Sequence, residues 1–365
     1  MKKVLVAFGT RPEAIKMCPV VNELKRRKDI EVYTCISGQH RELLGGILDS
    51  FGVCEDYNLN IMKEGQTLFD ITSNILEKFK DVLYRISPDM VLVHGDTSTA
   101  FACALAAFYL NIPVGHIEAG LRSGNIFEPY PEEFNRRVIS LISSHDFAPT
   151  EMAKKNLLDE GKDGKRIFVT GNTVIDAIRT TVTNNYTHSE LEWAKKGKIV
   201  LLTSHRRENL GEPQKAIFKA IKRVAEEHRD IRIIFPIHPN PKIRKIAEQE
   251  LLGVPNIHVI EPLDVVDFHN FIARSYLIIT DSGGIQEEAA ALCKPTLVLR
   301  NNTERPEGLK NGGLKLVGTD ERDVYENFKL LINDKKIYNK MCSAKNPYGD
   351  GEASVRIADI IERIK

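Results

Sequence analysis

The amino-acid sequence predicts an α/β fold with two domains, each built around a parallel sheet. Short apolar runs alternate with amphipathic stretches along the chain, which is typical of strand–helix–strand units. Runs such as Lys3–Phe8 are apolar at nearly every position, as in strands that are buried on both faces. The length of 365 residues exceeds one ordinary core, so two domains are expected.

The first half of the chain alternates six predicted strands with helices. Hydrophobic periodicity predicts strands at residues 3–8, 31–36, 89–93, 113–117, 145–148 and 166–169. Helices are predicted near residues 12–27, 40–50, 67–86, 97–110, 131–142 and 151–159. This rhythm predicts a parallel sheet with helices on both faces.

A polar, charged stretch from Tyr186 to Lys198 is predicted to be a hinge, and a second alternating series follows it. Its strands are predicted at residues 199–203, 231–236, 257–260, 276–280 and 296–299. We therefore assign residues 1–185 and 186–350 to two Rossmann-like domains, with a cleft between them that the carboxyl ends of the strands face. Residues 351–365 form a C-terminal helix that is expected to pack back on the first domain.

Composition excludes several functional classes. The formal net charge of +1 provides no basic field for nucleic acid, and no apolar run is long enough to span a bilayer. The first residues lead into a strand and show no signal-peptide cleavage site. Six scattered cysteines, at positions 18, 35, 54, 103, 293 and 342, form no C-x-x-C pair. They are interpreted as reduced core thiols of a cytoplasmic protein, and no metal site is predicted.

The first strand leads into Gly9-Thr10-Arg11-Pro12-Glu13, in which Pro12 suits the first turn of a helix. Arg11 is therefore expected at a helix N-terminus on the carboxyl edge of a sheet, where anions bind in open α/β folds. An Arg at this point indicates a phosphate ligand. The alternative is a plain strand-to-helix turn with a surface Arg.

Two carboxylates end neighbouring predicted strands, and paired carboxylates in a crevice suit general acid/base chemistry. Asp96 follows the strand at 89–93, and Glu118 follows the strand at 113–117. Asp96 has the alternative role of capping a helix that starts at Thr97, whereas no helix is expected directly after Glu118. Glu132 and Glu133 lie in the first turn of a predicted helix, where the helix dipole favours acids without any function.

The second predicted domain carries anion-binding signals at three strand ends. Ser204-His205-Arg206-Arg207 combines a possible proton donor with cations, and His238 lies in a rigid Pro-rich turn after the next strand. The run Thr280–Glu288 contains Ser282, Gly283 and Gly284, whose backbone amides could approach a diphosphate at a helix N-terminus. Glu288 is placed to accept hydrogen bonds from two ribose hydroxyls, and Arg305 adds another cation. Neither a P-loop nor G-x-G-x-x-G occurs, which disfavours NAD and ATP.

Together these motifs resemble the non-hydrolysing UDP-N-acetylglucosamine 2-epimerases, over essentially the whole chain. The motifs are, in chain order, GTRPE (9–13), GQHRE (38–42), HGDT (94–97), HIEAGLR (116–122), PEEFNRR (131–137), SHRRE (204–208), DSGGIQEE (281–288) and TERPE (303–307). The resemblance implies the GT-B architecture, two Rossmann-like domains around a cleft. It also implies interconversion of UDP-N-acetylglucosamine and UDP-N-acetylmannosamine, with UDP as the leaving group and no cofactor.

The resemblance further implies roles for individual residues. The nucleotide contacts are expected to be Arg11, Lys16, His205, Ser282, Gly283, Gly284, Glu288 and Arg305, with Phe268 against the uracil. The catalytic positions of the family correspond to Asp96, Glu118, Glu132 and His205. Asp96 is expected to be one acid/base group and Glu118 or Glu132 the other, in a cleft that domain closure seals from water. A homodimer is also implied.

Bacterial members of this family have a second UDP-N-acetylglucosamine site that acts as an allosteric activator. Gln39, His40, Arg206, His238 and Glu132 match positions used there. Glu42 and Gly65 depart from the pattern, because strongly allosteric members carry Gln and Arg at these positions. Three other functions stay open on the sequence: a hydrolysing epimerase, a sugar transferase, and a nucleotide-sugar binding protein without catalysis.

Overall fold

The computed structural model describes residues 1–38, 41–63, 65–303 and 305–364. It divides the chain into two compact units, of which unit 1 comprises Met1–Thr180 and Tyr348–Lys365 and unit 2 comprises Thr181–Pro347. The predicted domain boundaries, after residues 185 and 350, lie within five residues of these divisions. Gln39, His40 and Glu304 lie outside the described residues.

Unit 1 contains a fully parallel sheet with the strand order β3-β2-β1-β4-β5-β6-β7 among the described residues. Its strands are β1 (Lys2–Phe8), β2 (Ile30–Ile36), β3 (Tyr57–Asn58), β4 (Met90–His94), β5 (Val114–Ile117), β6 (His145–Ala148) and β7 (Ile167–Val169). The helices between and after them are α1 (Arg11–Lys25), α2 (Arg41–Phe51), α3 (Leu68–Ile86), α4 (Ser98–Tyr109), α5 (Glu132–Ile142), α6 (Glu151–Asp159) and α7 (Thr173–Thr181). The six strands predicted here are confirmed.

Unit 2 repeats this plan with a parallel sheet in the order β10-β9-β8-β11-β12-β13, again within the described part of the chain. Its strands are β8 (Lys198–Thr203), β9 (Ile231–Pro236), β10 (Ile257–Ile260), β11 (Leu277–Thr280), β12 (Thr296–Val298) and β13 (Leu314–Leu316). Its helices are α8 (Ser189–Ala194), α9 (Glu212–Glu227), α10 (Pro241–Leu251), α11 (Val265–Arg274), α12 (Gly283–Ala291), α13 (Pro306–Lys310), α14 (Glu321–Asn333) and α15 (Lys335–Cys342).

Each sheet has one point at which the strand order reverses, and open α/β folds bind ligands beyond the carboxyl ends of the strands at such a point. In unit 1 the order reverses between β1 and β4, so the turns that begin at Gly9 and Gly95 lie on either side of it. In unit 2 it reverses between β8 and β11, beside Ser204 and Asp281. The motifs predicted to bind phosphate and to carry the acids therefore occupy the binding edge of each sheet.

The C-terminal helix α16 (Ala353–Arg363) belongs to unit 1, where it packs against α1. Its apolar face buries Ile357 and Ile361. Lys2 Nζ donates to the Ile361 carbonyl at 2.7 Å, and Arg27 Nη1 lies 2.8 Å from Asp359 Oδ1. The first strand and first helix of the unit are therefore held by the last helix.

The stretch predicted to be a hinge, residues 186–198, is instead part of unit 2. It contains α8, which His188 caps by accepting a hydrogen bond from the Glu190 amide at 3.1 Å. Leu191 and Ala194 of this helix are buried in the core of unit 2. The prediction was wrong because two apolar residues at helical spacing are enough to dock a short helix in a charged stretch.

The cysteines are only in part the core thiols that the sequence predicts. All six are free; Cys18, Cys35 and Cys103 are buried, whereas Cys54 and Cys293 are exposed and Cys342 is intermediate. Burial raises the pKa of the Cys18 and Cys35 thiols to about 12. The core position predicted for Cys293 is wrong, because α12 ends at Ala291 and Cys293 lies in the exposed turn beyond it. Among the helices that the structure describes, none is both long and apolar enough to cross a bilayer.

Candidate active site

Glu118 has an enclosed carboxylate at the end of β5. It directly follows β5 with φ +62°, a left-handed conformation that non-glycine residues seldom adopt, and no helix begins there. Its side chain is 8 % exposed and forms an ion pair with Lys16. Glu118 Oε2 also lies 2.9 Å from Asn172 Nδ2 and 3.6 Å from His94 Nε2. Side chains from α1, β4 and the segment after β7 therefore converge on one carboxylate, with Lys16 paired to it and Asn172 donating to it.

Lys16 reaches this carboxylate from α1. The residues at the N-terminus of this helix stabilise its first turn. Glu13 closes a capping box by accepting from the Thr10 amide at 2.8 Å and the Gly9 amide at 3.1 Å. It also accepts from Thr97 Oγ1 at 2.7 Å. Burial raises the pKa of Glu13, and the hydrogen bonds from Thr97 and Thr10 oppose this shift. Arg11 lies at the first position of the helix and is partly buried.

Asp96 follows β4 and remains partly accessible, with a side chain that is 24 % exposed. Its carboxylate forms an ion pair with Arg136, and its carbonyl accepts from Asn135 Nδ2 at 2.9 Å. The alternative role of helix cap is wrong, because Thr97 caps α4 by accepting from the Ala100 amide at 3.0 Å. Asp96 is therefore oriented by a cation from α5.

Glu132 and Glu133 both lie in the first turn of α5, as predicted, but their environments differ. Glu133 is fully buried and lies 3.2 Å from Arg136 Nη1 and 2.9 Å from Arg137 Nε. Glu132 is only partly buried. Glu133 thus fixes the arginine that holds Asp96, a link that the (i, i+3) and (i, i+4) spacing in PEEFNRR could have indicated. Glu132 keeps a more accessible carboxylate.

The strands that carry Asp96 and Glu118 are direct neighbours, which confirms that the two acids leave adjacent strand ends. Both the amide and the carbonyl of Gly95 are hydrogen-bonded to residues of β5. Its amide donates to the Ile117 carbonyl at 2.8 Å, and its carbonyl lies 2.7 Å from His116 Nε2. Burial lowers the pKa of His116 to about 3, so the ring is neutral and donates from Nε2.

In unit 2, the loop after β8 is organised by Asp281, which is completely buried at the end of β11. Asp281 Oδ2 accepts from the His205 amide at 2.9 Å and the Arg206 amide at 3.0 Å. Asp281 Oδ1 also lies 3.2 Å from His205 Nδ1. This Asp begins the DSGGIQEE motif, although the motif alone does not indicate its role.

His205 and His238 come together although they follow different strands. Their rings stack with centroids 5.8 Å apart and an interplanar angle of 20°. Partial burial and then the neighbouring His205 lower the pKa of His238, while Asp281 acts in the opposite direction. Arg206 lies beside them, with Nε donating to the Asp281 carbonyl at 2.9 Å. Three of the residues predicted for anion binding or a second site therefore share one edge of this sheet.

The segment predicted to bind a diphosphate begins a helix, as the sequence indicates. Ser282 is the N-cap of α12, and Gly283 and Gly284 are its first two residues. Glu288 lies further along the helix, with Oε2 3.8 Å from His269 Nε2. His269 Nδ1 in turn lies 2.7 Å from Thr181 Oγ1. Phe268 precedes His269 on α11 and is partly buried.

Arg305 is the N-cap residue of α13 and is largely buried. Arg305 Nε lies 2.7 Å from Glu287 Oε1, and the Arg305 amide donates to Thr303 Oγ1 at 3.2 Å. This buried ion pair holds the Arg305 side chain next to α12, and it occupies the Nε position of the guanidinium. Within the described ranges, no group of three or more His, Cys, Asp or Glu side chains could hold a metal ion.

Comparisons with known proteins identify the family. The model of the UDP-N-acetylglucosamine 2-epimerase family matches residues 22–362. The chain is 54 % identical over 357 residues to the UDP-N-acetylglucosamine 2-epimerase of Bacillus subtilis, a match that covers 98 % of this chain and 94 % of that one. The chain belongs to the UDP-N-acetylglucosamine 2-epimerase family.

Solved structures of epimerase-family proteins share the fold over the full length. A Neisseria meningitidis UDP-GlcNAc 2-epimerase bound to UDP-GlcNAc matches with a TM-score of 0.93 and 46 % identity, covering 99 % of this chain and 100 % of that one. A Staphylococcus aureus MnaA–UDP structure matches with a TM-score of 0.93 and 47 % identity, covering 99 % and 96 %. A Rickettsia africae glycosyltransferase shows the fold alone, with a TM-score of 0.61 and 14 % identity. The predicted family and GT-B fold class are confirmed.

Two residues predicted for the second site, Gln39 and His40, lie outside the described residues, as does the side chain of Glu42. Gly65 lies in a turn with φ +73°. Sequence reasoning missed four residues of the candidate site of this epimerase-family protein: His94, Asn172, Arg136 and Asp281. Each acts on a residue far away in the sequence, so only the strand order could have indicated them.

Proposed function

We propose that this protein interconverts UDP-N-acetylglucosamine and UDP-N-acetylmannosamine by reversible inversion at carbon 2 of the sugar. Membership of the epimerase family and the likeness to a relative that binds UDP-GlcNAc support the substrate. The observation that carries the proposal is the enclosed Glu118, with the more accessible Asp96 on the neighbouring strand. A binding protein without catalysis would not need two such carboxylates.

The proposed chemistry begins at carbon 1, because carbon 2 has no adjacent carbonyl to stabilise an anion. The bond between carbon 1 and the phosphate oxygen breaks, and UDP leaves with the electron pair. The resulting oxocarbenium character acidifies the carbon-2 hydrogen, which a carboxylate removes as a proton. A 2-acetamidoglucal and UDP result. A proton is then delivered to the opposite face of carbon 2, and UDP adds back to carbon 1.

This sequence requires stabilisation of the departing diphosphate by positive charge and amide groups. Arg11, Arg305, His205 and the Gly283–Gly284 amides supply these, with Ser282 as N-cap of α12. Lys16 is a further cation, although in this structure it pairs with Glu118. Glu288 is assigned to the ribose hydroxyls, and Phe268 is assigned to the uracil.

Acid/base groups must reach both faces of carbon 2, which requires two carboxyls. Asp96 is assigned as one, and its ion pair with Arg136 orients the carboxylate. The second is Glu118 or Glu132. The enclosure of Glu118 by Lys16, His94 and Asn172 favours Glu118, and the accessibility of Glu132 favours the alternative.

Proton NMR of the protein with UDP-N-acetylglucosamine in D2O, without added cofactor, tests the proposal. A growing anomeric signal of UDP-N-acetylmannosamine, with deuterium at carbon 2 of the product, is expected. Free N-acetylmannosamine together with UDP would identify a hydrolysing enzyme. An unchanged substrate spectrum would contradict epimerisation and direct the search to a transferase acceptor or to a binding protein.

The second nucleotide-sugar site is a further part of the proposal. Arg206 and His238 lie beside His205 at one sheet edge, which supports a ligand at this position. Activation by substrate would give sigmoidal kinetics, and it would make the reverse reaction depend on added UDP-N-acetylglucosamine. Hyperbolic kinetics in both directions would contradict activation.

The proposal also includes a homodimer through unit 1. Helices α3, α4 and α5 pack side by side and expose large apolar side chains. Tyr84 is 64 % exposed, Tyr109 67 % and Leu141 81 %, each near the end of its helix. Burial of such side chains against a second copy would favour association. Light scattering after size exclusion would show the mass of the assembly. A cytoplasmic location stays a prediction.

A further inference from the structure

Asp281 is a buried carboxylate to which the reaction as written assigns no task. It is 0 % exposed at the end of β11, and its two oxygens face the segment 204–209. Its donors are Ser204 Oγ (2.9 Å), the His205 amide (2.9 and 3.1 Å), the Arg206 amide (3.0 Å) and Asn209 Nδ2 (3.1 Å). The hydrogen-bonding capacity of this buried carboxylate is therefore well satisfied.

The same carboxylate faces the imidazole of His205. Nδ1 lies 3.2 Å from Asp281 Oδ1, while the His205 side chain as a whole is 40 % exposed. The contact is electrostatic and does not have the angle of a hydrogen bond. A ring nitrogen this close to a carboxylate oxygen carries the hydrogen, because a lone pair there would be repelled. Nε2 is then the nitrogen that points away from Asp281.

The stacked neighbour His238 has the opposite arrangement. Its Nδ1 accepts a hydrogen bond from the Asn240 amide at 3.2 Å, so in the neutral ring the hydrogen is on Nε2. The ring centroids lie 5.8 Å apart, with an interplanar angle of 20°. The Asp281 carboxylate lies beside Nδ1 of His205, whereas a backbone amide donates to Nδ1 of His238, so the two rings have different environments. In the neutral rings, Nε2 of His205 therefore carries a lone pair, whereas Nε2 of His238 carries the hydrogen.

We propose that Asp281 is a positioning residue that fixes His205 in the Nδ1–H tautomer and thereby presents Nε2 to the diphosphate of the nucleotide sugar. This inference rests on the proposed function. Before cleavage, the exposed Nε2 takes up a second proton from solvent, while Nδ1 keeps its hydrogen beside Asp281. When the bond between carbon 1 and the phosphate oxygen breaks, the oxygen keeps the electron pair and accepts a hydrogen bond or this proton from Nε2. On re-addition the proton returns to Nε2. Asp281 acts only through His205 and needs no contact with the substrate.

A purely structural Asp281 would hold the loop at residues 204–209 without setting the tautomer. The two roles separate in the free protein by NMR of nitrogen-15-labelled histidine, at mildly alkaline pH. The chain contains 10 histidines, and the spectrum of His205→Gln assigns the His205 signals by their loss. We expect a protonated Nδ1 and an unprotonated Nε2 for His205. A His205 with its hydrogen on Nε2 would overturn the proposal, whatever any variant does.

Kinetics of Asp281→Asn provide the second readout. We expect kcat to fall about 10- to 100-fold, the usual cost of losing a supporting partner, with a smaller change in KM. The His205 signals should move to a mixture of tautomers. Ser204→Ala is the matched control, because it removes one hydrogen bond to Asp281 and leaves the carboxylate beside His205. It should keep both the tautomer and most of kcat.

Equal losses in Asp281→Asn and Ser204→Ala would show that loop anchoring alone matters, and the proposal would fail. An Asp281→Asn protein that keeps the wild-type tautomer and kcat would also overturn it. If Asp281→Asn does not fold, the tautomer of the wild-type protein still decides. Failure of the proposed function is separate, because it would show as absent epimerisation with the Nδ1–H tautomer intact.

Discussion

The amide nitrogen of Asn172 donates to Glu118 across a separation of 54 residues, at 2.9 Å from Oε2. Asn172 follows β7, so this contact connects the far side of the unit 1 sheet to the acid at the end of β5. With Lys16 and His94 it limits the carboxylate to one orientation. The function of Glu118 should therefore depend on a residue that makes no acid/base contribution itself.

We expect Asn172→Ala to lower kcat about 10- to 100-fold, as the loss of an orienting partner does elsewhere. The affinity for UDP should change little, because the segment proposed to bind the diphosphate is in unit 2. Asn156→Ala is the control, since Asn156 Nδ2 donates to the Gly120 carbonyl at 2.9 Å on the same loop but does not contact Glu118. Steady-state kinetics and a melting curve of each variant check this, and equal losses in both would contradict it.

Asp96→Asn and Glu118→Gln should each reduce turnover about 100- to 10,000-fold, the range for a positioned acid or base. Both substitutions keep the shape of the side chain, so UDP affinity should stay near the wild-type value. Glu151→Gln, on the exposed start of α6, is the surface control. The NMR assay in D2O measures turnover, and calorimetry measures UDP binding. Near-normal turnover in both variants would show that the catalytic assignment is wrong.

Gly120 and Gly124 provide a matched pair in the loop after Glu118, because both have positive φ, +87° and +85°. A Cβ at Gly120 would lie 2.2 Å from the Ala153 carbonyl oxygen, whereas nothing lies within 4 Å of one at Gly124. Gly124→Ala should cost about 1–2 kcal/mol from backbone strain alone. Gly120→Ala should cost about 1–3 kcal/mol more, because the backbone must move. Urea unfolding of the two variants measures the difference, and equal midpoints would contradict the steric argument.

The buried ion pair of Glu287 and Arg305 should contribute strongly to the stability of unit 2. Its side chains are 2 % and 8 % exposed. Glu287→Ala leaves a buried guanidinium without this partner, and we expect a loss of about 3–5 kcal/mol in the free energy of unfolding. Glu261→Ala removes an ion pair with Arg244 that is largely exposed, so it should change stability far less. Chemical denaturation compares the two, and a small effect of Glu287→Ala would contradict the prediction.

His116 should make the protein less stable in acid. Its pKa is about 3 in the folded protein and about 6.5 when unfolded, because burial disfavours the cation. Between these values the unfolded chain binds more protons, so stability falls as the pH decreases below about 6.5, by up to about 1.4 kcal/mol per pH unit. Burial raises the pKa of Asp146, which has the opposite effect but is present in both proteins compared below.

His116→Gln removes this titration and can keep a donor for the Gly95 carbonyl. The variant should therefore show a shallower loss of stability between pH 7 and pH 5 than the wild type, in urea unfolding at several pH values. Parallel pH profiles for the two proteins would show that His116 does not titrate in this way.

Periodicity and strand-end motifs predicted the strands of both sheets well, because buried parallel strands are continuous apolar runs. They missed β3, which has only two residues, and β13, which has three. They also missed α8 and placed Cys293 in the wrong environment. Short elements carry too few residues for a period to show, and tertiary packing decides them.

The residues of the candidate site also fall into those that the sequence predicts and those that it does not. Asp96, Glu118 and His205 were predicted because a residue directly after an apolar run lies at the carboxyl edge of a sheet. Arg136 and Asn172 could not be predicted, because their value depends on which strands are adjacent. Asp281 begins a recognisable motif, but its contacts depend on the pairing of β8 with β11, which no single-strand pattern reveals.

The return of residues 348–364 to unit 1 has a consequence for biosynthesis. Unit 2 is continuous from Thr181 to Pro347, whereas unit 1 needs two segments, one on each side of it. A ribosome releases the helix that covers Lys2, Arg27 and α1 only after all of unit 2 has been made. The unit whose synthesis begins first is thus the one whose folding is completed last. During translation, its first strand and helix therefore expose an apolar surface until the last helix has been made. A nascent chain with such an exposed surface is expected to bind a chaperone.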